Sequence, residues 1–155
     1  MRPPLGKDLS KEDAMYFNVL VVDDEQDFLE TLVNRLKKRS IDAVGVMSGE
    51  EALEEIKKKP FDVVILDIKM PGGMDGIEAL QEMKRMQPLA EVILLTGHAS
   101  VETSIEGMKL GAFDYLLKPV KLEELLKKIA EALEKKDKQD QKIRSAQIKK
   151  LLKYW

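Results

Sequence analysis

The sequence predicts an α/β fold: a doubly wound, five-stranded parallel sheet in the order 2-1-3-4-5, with helices on both faces and a helical extension at the C-terminus. Three observations lead there. Five short apolar runs alternate with segments of helical period, the mark of strands joined by crossover helices. The runs are almost continuously apolar, as strands covered on both faces require. Finally, 155 residues with 44% hydrophobic content suffice for one compact domain with a real core and something left over.

The strands are expected at residues 18–22, 41–46, 62–66, 91–96 and 112–116. Between them Phe28, Leu29, Leu32, Val33 and Leu36 recur at helical spacing, as do Ala52, Leu53 and Ile56, then Ile77, Leu80, Met83 and Met86. Each set is one buried stripe. A fourth helix is expected over 101–110, stopped by Gly111 as a C-cap, and a fifth over 122–133, entered after Pro119. Met83, Met86 and Met108 fall on these stripes and read as core. Right-handed crossovers of such length favour a flavodoxin-like sheet, in which ligands sit beyond the carboxyl ends of the strands.

Composition narrows the function classes. The chain has no cysteine, which removes disulfides and thiolate metal sites and suits a reducing compartment; the cytoplasm is the expected location. No apolar run reaches the roughly eighteen residues of a membrane helix, and the opening MRPPLGKDLSKEDAMYF lacks the apolar centre of a signal peptide. Residues 1–15, with Pro3, Pro4 and Gly6 and no period, read as a flexible arm, 16–134 as the folded domain and 135–155 as a charged helical extension or linker. The net charge is −2 with 35% charged residues, so the charges are interspersed, and neither nucleic acid nor membrane is an expected partner.

The chemistry sits at the strand ends. Asp23, Asp24 and Glu25 follow the first strand, Asp67 the third, Thr96 ends the fourth, and Lys118 and Pro119 follow the fifth. Converging carboxylates repel one another, and a hard divalent cation with oxygen ligands relieves them. Mg²⁺ is the natural choice, because it takes one or two carboxylates and completes its octahedron with phosphate oxygens. Lys118 offers a positive charge, and Thr96 a hydroxyl donor, to the same oxygens. Among these groups Asp67 is the best nucleophile: it stands alone at the end of the central strand, while the Asp23–Asp24 pair looks like metal scaffolding. Each acidic residue taken singly also fits an ordinary turn or N-cap. Four strand ends with complementary chemistry do not.

The motifs VLVVDDEQDF, FDVVILDIKMPGGMDGIEAL, VILLTGHAS and GAFDYLLKPV resemble, in order and spacing, the receiver domain of response regulators in two-component signalling, over roughly residues 18–133. The resemblance implies that Asp24 binds Mg²⁺ directly, that Asp23 acts largely through water, and that the backbone carbonyl of Lys69 completes the metal site. It further implies that Asp67 accepts a phosphoryl group from a sensor histidine kinase, that Lys118 contacts that group, with a Lys118–Pro119 bond cis in many relatives, and that Thr96 and Tyr115 form a switch pair. In that pair the hydroxyl moves toward the phosphate and the ring turns inward. The readout face would be the fourth helix, fifth strand and fifth helix, engaging a downstream protein. The chain would then be a signalling protein that catalyses only its own phosphorylation and dephosphorylation. The GHAS loop and the LEELLKKI helix are also similar to receivers of nitrogen-regulation-type activators.

One departure stands out: MPGGMDG carries one residue more than the usual MPxMDG, lengthening the loop beside the metal with two glycines. Two other readings of the strand ends fail on residues. An aspartyl-phosphate hydrolase of the haloacid-dehalogenase type places a second Asp two residues after its nucleophile, where this chain has Lys69. A flavin binder needs a phosphate cradle after the first strand, where Asp23, Asp24 and Glu25 would repel the phosphate. His98, the one histidine, reads as a loop residue. At the C-terminus, residues 134–142 read as polar all round, with no face to bury. Ile148, Leu151, Leu152 and Trp155 recur at helical spacing beyond them. Nothing stops the fifth helix before that edge, which is expected to pair with a second copy of the chain as a homodimer.

Overall fold

The computed structural model describes residues 17–97 and 101–152. The expected arm at residues 1–15, His98 and Trp155 lie outside that set. The elements are β1 (Asn18–Val22), α1 (Gln26–Lys38), β2 (Asp42–Val46), α2 (Gly49–Lys58), β3 (Val63–Asp67), α3 (Gly76–Met86), β4 (Glu91–Thr96), α4 (Val101–Lys109), β5 (Asp114–Leu117) and α5 (Leu122–Leu152). The sheet order is β2-β1-β3-β4-β5, with every pairing parallel. The flavodoxin-like topology is therefore the one expected.

The period of two hidden inside the apolar runs becomes visible here. Val19, Val21, Val63, Ile65, Ile93 and Leu95 share one buried cluster with Leu29, Leu32 and Leu36 of α1 and Leu125, Ile129 and Leu133 of α5. Their neighbours Leu20, Val22, Val64, Leu66, Val92 and Leu94 pack on the other face with Ala52 and Ile56 of α2 and Ala79, Leu80 and Met83 of α3. A strand apolar on both sides thus sits between two helical layers. Local signals fix the helix starts: the Ser48 hydroxyl accepts the Glu51 N–H at 3.1 Å, and the Asp75 carboxylate accepts the Glu78 N–H at 2.9 Å. Gly111 ends the α4 region with φ 104°, as a C-cap glycine does.

Several expectations need correction, beginning with the second strand, which starts at Asp42 and not at Ile41. The third strand runs to Asp67, one residue later than its apolar run suggests, because Asp67 still pairs with Leu95. The fifth strand begins at Asp114, two residues late, since Ala112 and Phe113 only approach the sheet, Phe113 N–H donating to the Val92 carbonyl at 2.7 Å. Met108 is not core. The face that α4 turns inward consists of Ser104 and Gly107, so the large side chains beside them, Ile105 and Met108, point to solvent.

The polar stretch after Leu133 does have a face to bury. The fifth helix continues unbroken to Leu152, and its residues 135–140 lie across the starts of β3 and β4. Asp62 and Glu91 there are each 2% exposed. Lys135 Nζ lies 3.3 Å from Glu91 Oε2, and Lys136 Nζ lies 3.8 Å from Asp62 Oδ1 and 2.9 Å from Asp140 Oδ2. Asp137 is buried and accepts the Gln141 Nε2 hydrogen bond at 2.9 Å. Buried charges are tolerable in this arrangement because each meets an opposite charge or a hydrogen-bond donor. The contacts anchor the helix to the sheet edge opposite Asp67. Beyond residue 140 every described side chain of the helix is exposed.

Candidate metal and phosphoryl site

The register builds the site. Val22 pairs with Leu66, so the next residues on β1 and β3, Asp23 and Asp67, emerge side by side. Thr96 pairs with Leu117, which brings Lys118 to the same edge, and the Lys118 N–H donates to the Thr96 carbonyl at 2.7 Å. One ligand oxygen from each of Asp23, Asp24 and Asp67 can lie within 4.8 Å of the others. Asp23 is fully buried and Asp67 is 5% exposed, while Asp24 is half-buried.

Asp23 is held from two sides, its Oδ1 accepting the Glu25 N–H and its Oδ2 accepting Lys118 Nζ, each at 2.8 Å. The same ammonium lies 3.5 Å from Asp67 Oδ2 and 3.7 Å from the exposed Glu25 carboxylate. Its position is steadied from below by the Phe28 ring, whose centroid is 5.0 Å away. Asp67 Oδ1 accepts the Lys69 N–H at 3.2 Å. The Lys118–Pro119 peptide is cis.

The charges do not balance. Burial first, and the neighbouring Asp23 carboxylate second, push Asp67 up to about 6, against the pull of Lys118 and the Lys69 N–H. For Lys118, burial would depress the ammonium; the hydrogen bond to Asp23 and the charges of Asp67, Asp23 and Glu25 outweigh it and hold it above the ordinary lysine value. One ammonium among these carboxylates leaves an excess of negative charge in a largely buried crevice. An all-oxygen donor set with that excess fits a hard divalent cation such as Mg²⁺.

Of the sequence-derived residues, Asp23, Asp24, Asp67 and Lys118 come together directly. Thr96 borders them through the backbone of Lys118; its buried hydroxyl donates to the Gly97 carbonyl at 3.0 Å. Tyr115, two residues before the end of β5, is half-buried against the α2–α3 face of the core. Lys69 engages Asp67 through its amide, and its side chain is exposed. Two participants escape sequence reasoning. Phe28 reads only as part of a buried helical stripe, although its place four residues after Asp24 also sets it under Lys118. Gly76 lets α3 press against the strand end: a Cβ there would lie 2.5 Å from Ile68 Cα and 2.9 Å from the Asp67 carbonyl oxygen.

The response regulator receiver domain matches residues 19–130 of this sequence. The chain belongs to the receiver domain family of response regulators. It is 37% identical over 116 residues to the transcriptional regulatory protein ZraR of Escherichia coli O157:H7, an alignment that covers 75% of this chain and 26% of ZraR. Among solved structures it is similar to the response regulator receiver domain protein of Clostridium thermocellum, with TM-score 0.74, 36% identity and coverage of 78% of this chain and 97% of that one. It also resembles a structure described as adenylate cyclase from Rhodopirellula baltica, with TM-score 0.80, 31% identity and coverage of 84% and 96%. The chain spans about a quarter of the length of curated relatives such as ZraR. Receiver domains are signalling modules of two-component systems, not conventional enzymes; they generally bind Mg²⁺ at an acidic pocket and take phosphoryl groups from histidine kinases. This receiver carries the acidic cluster that such binding needs. No described helix is long and apolar enough to cross a membrane.

Proposed function

We propose that this receiver is phosphorylated on Asp67 by a sensor histidine kinase in the cytoplasm and that Asp23, Asp24, Asp67 and the Lys69 carbonyl hold the Mg²⁺ required. The observation that carries the reading is the meeting of three carboxylates and Lys118 at the carboxyl edge of the sheet. In the transfer an Asp67 carboxylate oxygen attacks the phosphorus of a phosphohistidine, the O–P bond forms, and the P–N bond breaks with its electron pair going to the imidazole. Bound Mg²⁺ supplies positive charge for the phosphoryl oxygens. Lys118, 3.5 Å from Asp67 Oδ2, would add a second positive charge beside the same oxygens. A phosphohistidine kinase domain incubated with the chain should pass its label to wild type and leave Asp67→Asn unlabelled; label retained by the kinase with every candidate tested would count against the partner class.

The switch follows from the same edge. A phosphoryl group brings roughly −1.5 to −2 charge and strong acceptors, and Thr96, whose hydroxyl is spent on its neighbour's carbonyl, is the donor that gains by moving toward it. Tyr115 then turns into the space released. The face expected to change is α4, β5 and α5, and its exposed Ile105, Met108 and Leu117 support a protein partner there.

Residues 16–134 form the receiver unit in this reading, and 135–155 a helical extension whose apolar edge pairs two copies. The exposed Ile148 and Leu152 support it, each such side chain being worth roughly 1.5–3 kcal/mol when fully buried. Light scattering should give a dimer mass for the full chain and a monomer mass after deletion of residues 142–155; a full chain that is monomeric at tens of micromolar, with and without a phosphoryl mimic, removes this role.

A further inference from the structure

The loop from Ile68 to Asp75 is the one that exceeds the family spacing, and its slack is confined to a few residues. Met70 is buried on one side, and on the other the Gly76 N–H donates to the Ile68 carbonyl at 3.0 Å. Between them Gly72 and Gly73 take φ 79° and 96°, the left-handed region that favours glycine. Two adjacent glycines at such angles have little to hold them in place by themselves.

The hold comes from another element. Glu50, in the first turn of α2, reaches across so that its Oε1 accepts the Met74 N–H at 2.6 Å. The same oxygen lies 2.7 Å from the place where a Gly73 Cβ would be, so the bareness of Gly73 makes room for the carboxylate. Met74 is also flanked by Gly49, since its sulfur would be 3.3 Å from a Cβ there. That hydrogen bond is the main reason the Glu50 carboxyl is held below its ordinary value, and the helix that carries it is fixed by its Ser48 cap and by Ala52 and Ile56 in the core. At its opposite end the loop touches the site, through the Lys69 N–H on Asp67 Oδ1 at 3.2 Å.

We infer that Glu50 is a positioning residue for the Asp67 site: by clasping Met74 it takes up the extra residue of the loop and keeps the Lys69 backbone against Asp67. The consequence for phosphoryl binding rests on the reading under Proposed function; the clasp itself does not. Glu50 touches no reacting atom, and its effect passes through the loop backbone.

The test uses four variants of the full chain, Glu50→Ala, Glu50→Gln, Gly72→Ala and Gly73→Ala, together with both glycine changes in the Glu50→Ala background. Two readouts are taken, amide exchange and chemical shift by NMR, and affinity for beryllofluoride with Mg²⁺ by calorimetry. Glu50→Ala should lose protection at the Met74 amide, shift the Lys69 amide, and weaken beryllofluoride binding about threefold to tenfold, below the roughly 10–100-fold typical of residues that directly support metal ligands. Glu50→Gln should retain most of the affinity, because its amide oxygen accepts the same N–H. Gly72→Ala meets nothing within 4 Å and adds backbone strain alone, whereas Gly73→Ala adds strain plus the collision with Glu50. In wild type the second should therefore cost more affinity than the first, and in the Glu50→Ala background the two should cost the same. Unchanged Met74 protection in Glu50→Ala, unchanged affinity, or an equal difference between the glycine variants in both backgrounds would overturn the inference. Should wild type bind no beryllofluoride, the phosphoryl reading fails, and the Lys69 amide decides the clasp alone: a shift in Glu50→Ala supports it and none overturns it.

Discussion

Replacing Asp24 by Ala should remove Mg²⁺ binding, lowering the affinity by at least about a hundredfold, since even the outer partners of a metal site are worth roughly 10–100-fold. Asp24 is the half-buried member of the cluster, and unlike Asp23 it is not engaged by Lys118, so its oxygens are the ones most available to a cation. The measurement is thermal stability against Mg²⁺ concentration. Wild type should gain about 2.7 kcal/mol when Mg²⁺ reaches a hundred times its Kd, as a ligand that binds only the folded state does, and Asp24→Ala should gain nothing. Without Mg²⁺ the variant should be no less stable than wild type, because it removes one of several mutually repelling carboxylates. Lys118→Ala should behave in the opposite way. It deletes the cation that shares the crevice with Asp23 and Asp67, so it should be destabilised without Mg²⁺ yet keep most of its Mg²⁺ response. A variant pair showing the reverse order of sensitivity would contradict these roles.

The parts of this molecule that are legible in its sequence are those where one local rule decides. Strands such as Asn18–Val22 are apolar on both sides because both faces are covered, and the residues that end them are polar because the strands open there onto an edge. That is why Asp23, Asp67, Thr96 and Lys118 can be placed together without any coordinate. What stays hidden depends on partners distant in sequence. Lys135, Lys136 and Asp137 have the composition of a solvated helix face, and only the fold shows that Glu91 and Asp62, 44 and 74 positions earlier, wait buried for two of them. Met108 has helical spacing, but its helix meets the sheet through Gly107 and Ser104, and no periodicity reveals that the small residues are the inward ones. Glu50 stands in the first turn of its helix, where acidic residues are common; its bond to Met74 spans 24 positions and arises from a loop whose extra residue the sequence displays without saying where the slack goes.

The central claim is that Asp67 is a phosphoacceptor, and covalent labelling tests it most directly. Every part of the reading meets at this carboxylate: it ends the central strand at the crevice, burial and Asp23 push it up to about 6, and Lys118 and the Lys69 N–H both address it. Incubated with acetyl phosphate and Mg²⁺ and examined by intact-mass spectrometry under mildly acidic conditions, the wild-type chain should carry a single phosphoryl adduct that is absent without Mg²⁺. Asp67→Asn, which keeps the size of the side chain and removes its charge and nucleophilicity, should carry none; an Asp67→Asn chain labelled as fully as wild type would contradict the account.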